Sequence, residues 1–150
     1  MTVFRIAKRQ YINDLSGEGA RLFGGRWNKK GRSLLYTAES RSLATVECLV
    51  HMPKAVIPSN MCITEIELPD CIYHLKSSAL PENWNTYPAP SILADIIEQV
   101  FAEQHCLAIK VPSAIIDEEY NILIDPYHKL FKDVNILNIK EYIFDGRLMK

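Results

Sequence analysis

The segment Gly24-Gly25-Arg26-Trp27-Asn28 sets two glycines beside a guanidinium, an indole and an amide. Paired glycines let a main chain come close to a bound group, and an arginine beside them offers a planar fork for a phosphate. Trp27 adds an apolar plate with one donor. The same five residues also suit a tight hairpin in which Trp27 plugs the core and Arg26 caps a carbonyl, and taken alone they leave both readings open. Glu47 is the second anomaly. On a helix its same-face neighbours are Leu43, Ala44, Val50 and His51. A carboxylate in such surroundings calls for a partner or a task. The partner would be a salt bridge to Arg21 or Arg26; the task would be that of a catalytic or ligand-binding acid. Tyr36, Ser113 and His128 could add a stacking ring, a hydroxyl and an imidazole, but each is also ordinary strand or turn material.

The cysteines Cys48, Cys62, Cys71 and Cys106 contain no C-x-x-C pair. Two C-x-x-H pairs occur, Cys48 with His51 and Cys71 with His74, and could together supply zinc ligands. The first lies in a strongly apolar helical segment, which favours reduced, buried thiols acting as small hydrophobes. The sequence contains no nucleophile elbow, P-loop or Rossmann glycine fingerprint.

Elements must bring these side chains together. Residues 2–7 read as an opening strand, and residues 16–33, which hold five of the six glycines, read as a loop. Residues 34–37 form a strand, and Ser40 or Ser42 caps a helix that ends near His51, before Pro53. Residues 61–68 and 72–75 are strands. Ser91 is the expected cap of a second helix whose apolar set is Ile92, Leu93, Ile96, Ile97, Val100 and Phe101. Residues 106–111, 122–124 and 136–144 supply further strands. Strands outnumber helices without a regular βαβ alternation, so the expected class is α+β in a single domain spanning 1–150.

Composition bounds the function. The 150 residues (17.2 kDa) are 48% hydrophobic and 23% charged, enough to close one core and too apolar for a disordered chain. Seventeen basic residues against eighteen acidic ones give a net charge of -1, which argues against general nucleic-acid binding through phosphates. No apolar run reaches the roughly 18 residues of a membrane span, and the N-terminus lacks the order of a secretory signal, so a cytoplasmic address without membrane attachment is expected.

Four stretches resemble, in order, the RES domain, a family named for its Arg, Glu and Ser. They are Gly-Ala-Arg-Leu-Phe-Gly-Gly-Arg-Trp-Asn, followed by Leu-Leu-Tyr-Thr-Ala-Glu-Ser, then Leu-Ala-Thr-Val-Glu-Cys-Leu-Val-His, and finally Val-Pro-Ser-Ala leading to Tyr-Asn-Ile-Leu-Ile-Asp-Pro-Tyr-His. Asp125 departs from the pattern, where Asn usually precedes the proline. The resemblance implies a fold similar to ADP-ribosyltransferases. It also implies the toxin of a bacterial type II toxin–antitoxin pair, with an Xre-like antitoxin that covers the active site. NAD would be the substrate, consumed by hydrolysis or phosphorolysis, with no metal or other cofactor; some members ADP-ribosylate a protein. The family's Arg falls on Arg26, its Tyr on Tyr36, its Glu on Glu47 and its Ser on Ser113. By the same resemblance Arg26, helped by Gly24 and Gly25, holds the pyrophosphate, and Tyr36 stacks on nicotinamide. Glu47 stabilises the oxocarbenium-like ribose and Ser113 positions NAD, with Trp27 and Asn28 completing the binding set. A homodimer is left open. A non-catalytic NAD-binding module is the alternative, although a mere binder has no need of Glu47.

Overall fold

In the computed structural model, which describes residues 1–54 and 56–149, seven strands form one sheet around which three α-helices pack. In chain order the strands are β1 (Thr2–Lys8), β2 (Leu35–Ala38), β3 (Met61–Glu67), β4 (Ile72–His74), β5 (Ala108–Pro112), β6 (Tyr120–Ile124) and β7 (Asn135–Tyr142). The helices are α1 (Glu18–Phe23), α2 (Arg41–Val50) and α3 (Ile92–Gln104). The sheet order is β4-β5-β6-β2-β1-β3-β7, and only the β4–β5 pairing is parallel. The class is α+β. No helix among the described residues is long and apolar enough to cross a membrane.

Two half-sheets meet at a narrow joint. β1 and β3 pair along seven positions, and β2 and β6 along four, yet β1 pairs in register with β2 only at Phe4↔Ala38. Phe4 and Ala38 pack there with Leu43 and Ala44, so α2 fills the wedge between the halves. Ser40 Oγ accepts from the Leu43 amide at 3.1 Å and starts α2, the predicted cap.

Period-two alternation explains the other half. Ile109, Val111 and Leu123 meet Leu93, Ile97 and Phe101 of α3, while Ala108, Ile122 and Ile124 face a second core with Val3, Leu35 and Ile66. β5 and β6 are therefore buried on both faces, which is why 122–124 reads as an unbroken apolar run. The stripe of α3 differs from the expectation in that Ile92 is 53% exposed and Ala94 takes a buried position instead. Ser91 precedes α3 without a side-chain cap bond.

The glycine-rich stretch is not all loop, because α1 interrupts it. Its glycines punctuate the helix rather than dissolve it. Gly17 stands before α1 at φ 72°, where a Cβ would lie 2.6 Å from the Leu34 amide nitrogen, and Gly24 ends it at φ 70° with its N–H on Ala20 O at 2.8 Å.

Candidate active site

Residue 47 lies near the end of α2, at the same end of the sheet as the close of β5 and the start of β6. The Ser113 hydroxyl donates to Glu47 Oε1 at 2.9 Å, and Asn121 Nδ2 donates to the same oxygen at 2.6 Å. Among the described residues Oε2 accepts no hydrogen bond, so the carboxylate is fixed through one oxygen and free at the other. Glu47 is half-buried, and Val50, counted among its apolar neighbours, is 57% exposed. The expected ion pair is also absent among the described residues: Arg21 binds Glu18 through Nε at 2.7 Å, and Arg26 makes no salt bridge with Glu47.

Ser113 is 5% exposed, and its hydroxyl is saturated. It gives its proton to Glu47 and accepts from the Ile115 and Ile116 amides, each at 3.1 Å. In this conformation it therefore has nothing left for NAD. Its place is behind the carboxylate, as a strut. Asn121 shares that task and was missed by the sequence reading. The available signal was an amide at the head of the apolar run Ile122-Leu123-Ile124, where a polar side chain must find a partner.

The Gly24–Asn28 loop is held from within. Asn28 is 3% exposed; its Nδ2 donates to Ala20 O, Lys29 O and Arg32 O at 2.8, 3.2 and 3.1 Å. The Tyr36 hydroxyl donates to Asn28 Oδ1 at 2.6 Å and accepts from the Trp27 amide at 3.1 Å. Burial pushes the Tyr36 phenol well above its ordinary range, and it stays protonated at any working pH. A Cβ on Gly25 would sit 2.7 Å from this hydroxyl, so the glycine is demanded by Tyr36. Trp27 is 3% exposed in the α3 core, stacked on Trp84 at 6.2 Å between centroids. Trp27 and Asn28 thus form the loop's base rather than its ligand face.

Arg26 Nη1 donates to Trp84 O at 2.8 Å and Thr86 O at 2.9 Å, which clasps the 84–86 segment. Burial lowers its pKa, and the charge of Glu47 followed by Tyr36 opposes that shift, so the three groups share one electrostatic neighbourhood. The guanidinium remains charged. Of the two sequence readings of Arg26, the carbonyl cap is the one the contacts display: one nitrogen holds two carbonyls, and the guanidinium keeps its charge.

Asp125 has a structural task. Its Oδ1 accepts from Arg32 Nη1 at 2.9 Å and from the Tyr127 amide at 3.0 Å, and Arg32 reaches on to Glu98 of α3 at 2.7 Å. His128 accepts from the Leu130 amide and starts a short 3₁₀ turn. All four cysteines are free thiols, and no cluster of three or more metal-ligating side chains occurs among the described residues.

A carboxylate with one braced and one open oxygen, set near a partly buried guanidinium, suits the stabilisation of a sugar cation next to a phosphate. The family model described as the RES domain matches residues 2–145. The chain belongs to the RES domain family. Relatives cover nearly the full length. The Prs ADP-ribosylating toxin of Sphingobium sp. (strain YBL2) is 34% identical over 148 residues, which is 96% of this chain and 92% of that protein. Toxin Res of Yersinia enterocolitica is 36% identical over 151 residues, 99% of each. Among solved structures, the Mycobacterium tuberculosis MbcT–MbcA toxin–antitoxin complex contains a chain that matches with a TM-score of 0.74 at 20% identity, over 99% of this RES domain and 86% of that chain. At that identity the likeness is one of fold.

Proposed function

We propose that this RES domain is the toxin of a toxin–antitoxin pair and that it cleaves the nicotinamide–ribose N-glycosidic bond of NAD. The observation that carries the reading is Glu47, braced through Oε1 by Ser113 and Asn121 with Oε2 open. The C1′–N bond breaks with its electron pair going to the pyridinium nitrogen, so nicotinamide leaves neutral and the ribose becomes an oxocarbenium-like cation. Glu47 holds negative charge against that cation, an electrostatic term realised only as the bond breaks. A water attacking C1′ loses its proton and yields ADP-ribose; phosphate attacking instead yields the 1″-phosphate. The leaving group is already activated by its own positive charge, so a metal is not needed to pull it away. Arg26 takes the pyrophosphate, and Tyr36 fixes the Arg26 loop and offers its ring to nicotinamide.

A second reading differs only in the acceptor. The Sphingobium relative is named an ADP-ribosylating toxin, and the same cation trapped by a protein side chain would give that product. Incubating the purified chain with NAD, with and without phosphate and with a bacterial extract, separates these cases. Free ADP-ribose or its phosphate is expected; label found only on a protein would move the assignment to the transferase, and intact NAD in every tube would overturn both. The partner inferred is an Xre-like antitoxin seated over the Glu47 cleft, supported by the toxin–antitoxin complex of the fold relative. A complex that still turns over NAD at the free rate would contradict that placement.

A further inference from the structure

α2 carries Glu47 and fills the wedge between the half-sheets, so whatever sets its rotation about its own axis also sets where the carboxylate points. Its buried apolar side chains, Leu43 and Ala44, pack with Phe4 and Ala38. Apolar contact is non-directional and tolerates a rolling helix, whereas a hydrogen bond is directional and does not. Thr45 supplies such a bond. It is 8% exposed, and its hydroxyl donates to Arg41 O at 2.8 Å. With that single proton spent, Thr45 Oγ1 accepts from the Tyr142 hydroxyl. Tyr142 ends β7, and its ring stands edge-on to the buried Phe144 at 4.9 Å between centroids.

Thr45 and Glu47 are two residues apart, about 200° around the helix and so on nearly opposite sides. One side is tied to β7 through Tyr142, and the other to the end of β5 and the start of β6 through Ser113 and Asn121. Arg41 also ties the first turn to Glu65 of β3, but through a largely exposed ion pair, and such pairs hold little. Resting on the NAD reading above, we propose that Tyr142 is a positioning residue for that reaction. Through Thr45 it sets the roll of α2, and thereby the place of the open Oε2 of Glu47. A side-chain end lies ~5–6 Å from a helix axis, so a roll of about 10° carries it about 1 Å. A misplacement of that size can cost on the order of a hundredfold in rate. Ser113 and Asn121 restrain the carboxylate itself, which brings the expected loss to about tenfold. On the same reading NAD is held by Arg26 and Tyr36, which lie outside α2, so binding is spared.

Tyr142→Phe keeps the ring against Phe144 and removes only the hydroxyl; Thr45→Val removes the acceptor at nearly constant volume. Each should lower kcat for NAD about tenfold with KM held within twofold, at a temperature where melting curves show every variant folded. Thr45→Ser, which restores the hydroxyl, should return most of the rate. The double variant Tyr142→Phe with Thr45→Val should fall no further than either single change, because both remove the same tie. Asp125→Asn serves as the control, since it lowers melting without touching α2. The side-chain amide resonance of Asn121, which donates to Glu47 Oε1, reads the carboxylate without any turnover: Tyr142→Phe and Thr45→Val should move it and Asp125→Asn should not. Native kcat in both single variants, a loss confined to KM, or multiplying losses in the double variant would overturn the positioning role and leave the proposed reaction standing. If the unaltered chain cleaves no NAD, the reaction falls and the resonance decides alone: a moved Asn121 signal keeps Tyr142 as the residue that places Glu47, and an unmoved one overturns it.

Discussion

At the scale of single residues, the open oxygen of Glu47 makes the sharpest forecast. Glu47→Gln keeps an oxygen for the Ser113 and Asn121 donors and leaves no arginine unpaired, because among the described residues Glu47 has no ion pair to break. Stability should change by no more than about 0.5 kcal/mol. NAD turnover should fall at least a hundredfold, the effect of losing ~3 kcal/mol of charge stabilisation. A lower melting temperature with native turnover would sink the catalytic assignment. A second forecast concerns Gly25. Its alanine variant places a methyl against the Tyr36 hydroxyl at 2.7 Å, and overpacking of this kind costs about 1–3 kcal/mol. Tyr36→Phe alone strands the Trp27 amide and the Asn28 oxygen and should cost a similar ~1–3 kcal/mol. The double variant should be more stable than the sum of the two losses implies, since the phenol that clashes is gone. Strict additivity in denaturant titrations would show that Gly25 is needed for another reason. Residue types were legible in the sequence here, but their contacts were not. Glu47 and the arginine loop announced themselves by chemistry, whereas Asn121 is one amide whose partner lies 74 positions away.

Among the elements, α2 and the β6 turn carry the testable content. Ser40→Ala removes the cap of the helix that presents Glu47 and should cost about 1 kcal/mol. Asp125→Asn keeps an acceptor for the Tyr127 amide but removes the charge facing Arg32, which bridges the turn to α3 through Glu98. The expected loss is about 1 kcal/mol, seen as a lower melting temperature with NAD turnover unchanged. Impaired turnover at native stability would return this turn to the active site. The strands and α2 were readable because alternation and a Ser cap act locally. α1 was hidden because its six residues are too short to show a period, and the glycines that bound it look the same in sequence as glycines in a loop. The exposed Ile92 shows the same limit, since a helical period fixes which residues share a face but not how far the partner surface extends.

For the whole molecule, the class followed from composition and element order, but the joining of two half-sheets at the single pair Phe4↔Ala38 did not. Strand order depends on which edges meet in space, and no window of sequence reports it. The site straddles that arrangement: Arg26 and Tyr36 come from the segments around β2, Glu47 from α2, Ser113 from the end of β5, and Asn121 from β6, which lies between β5 and β2. This order has a consequence for biosynthesis. Chains emerge from the ribosome at about 5–20 residues per second, so Asn121 follows Glu47 by roughly 4–15 s. Until β6 inserts, the glutamate has neither of its braces and β2 lacks a neighbour. On the proposed reading, a chain still lacking β6 should not cleave NAD, so an antitoxin made alongside it would have those seconds to arrive first.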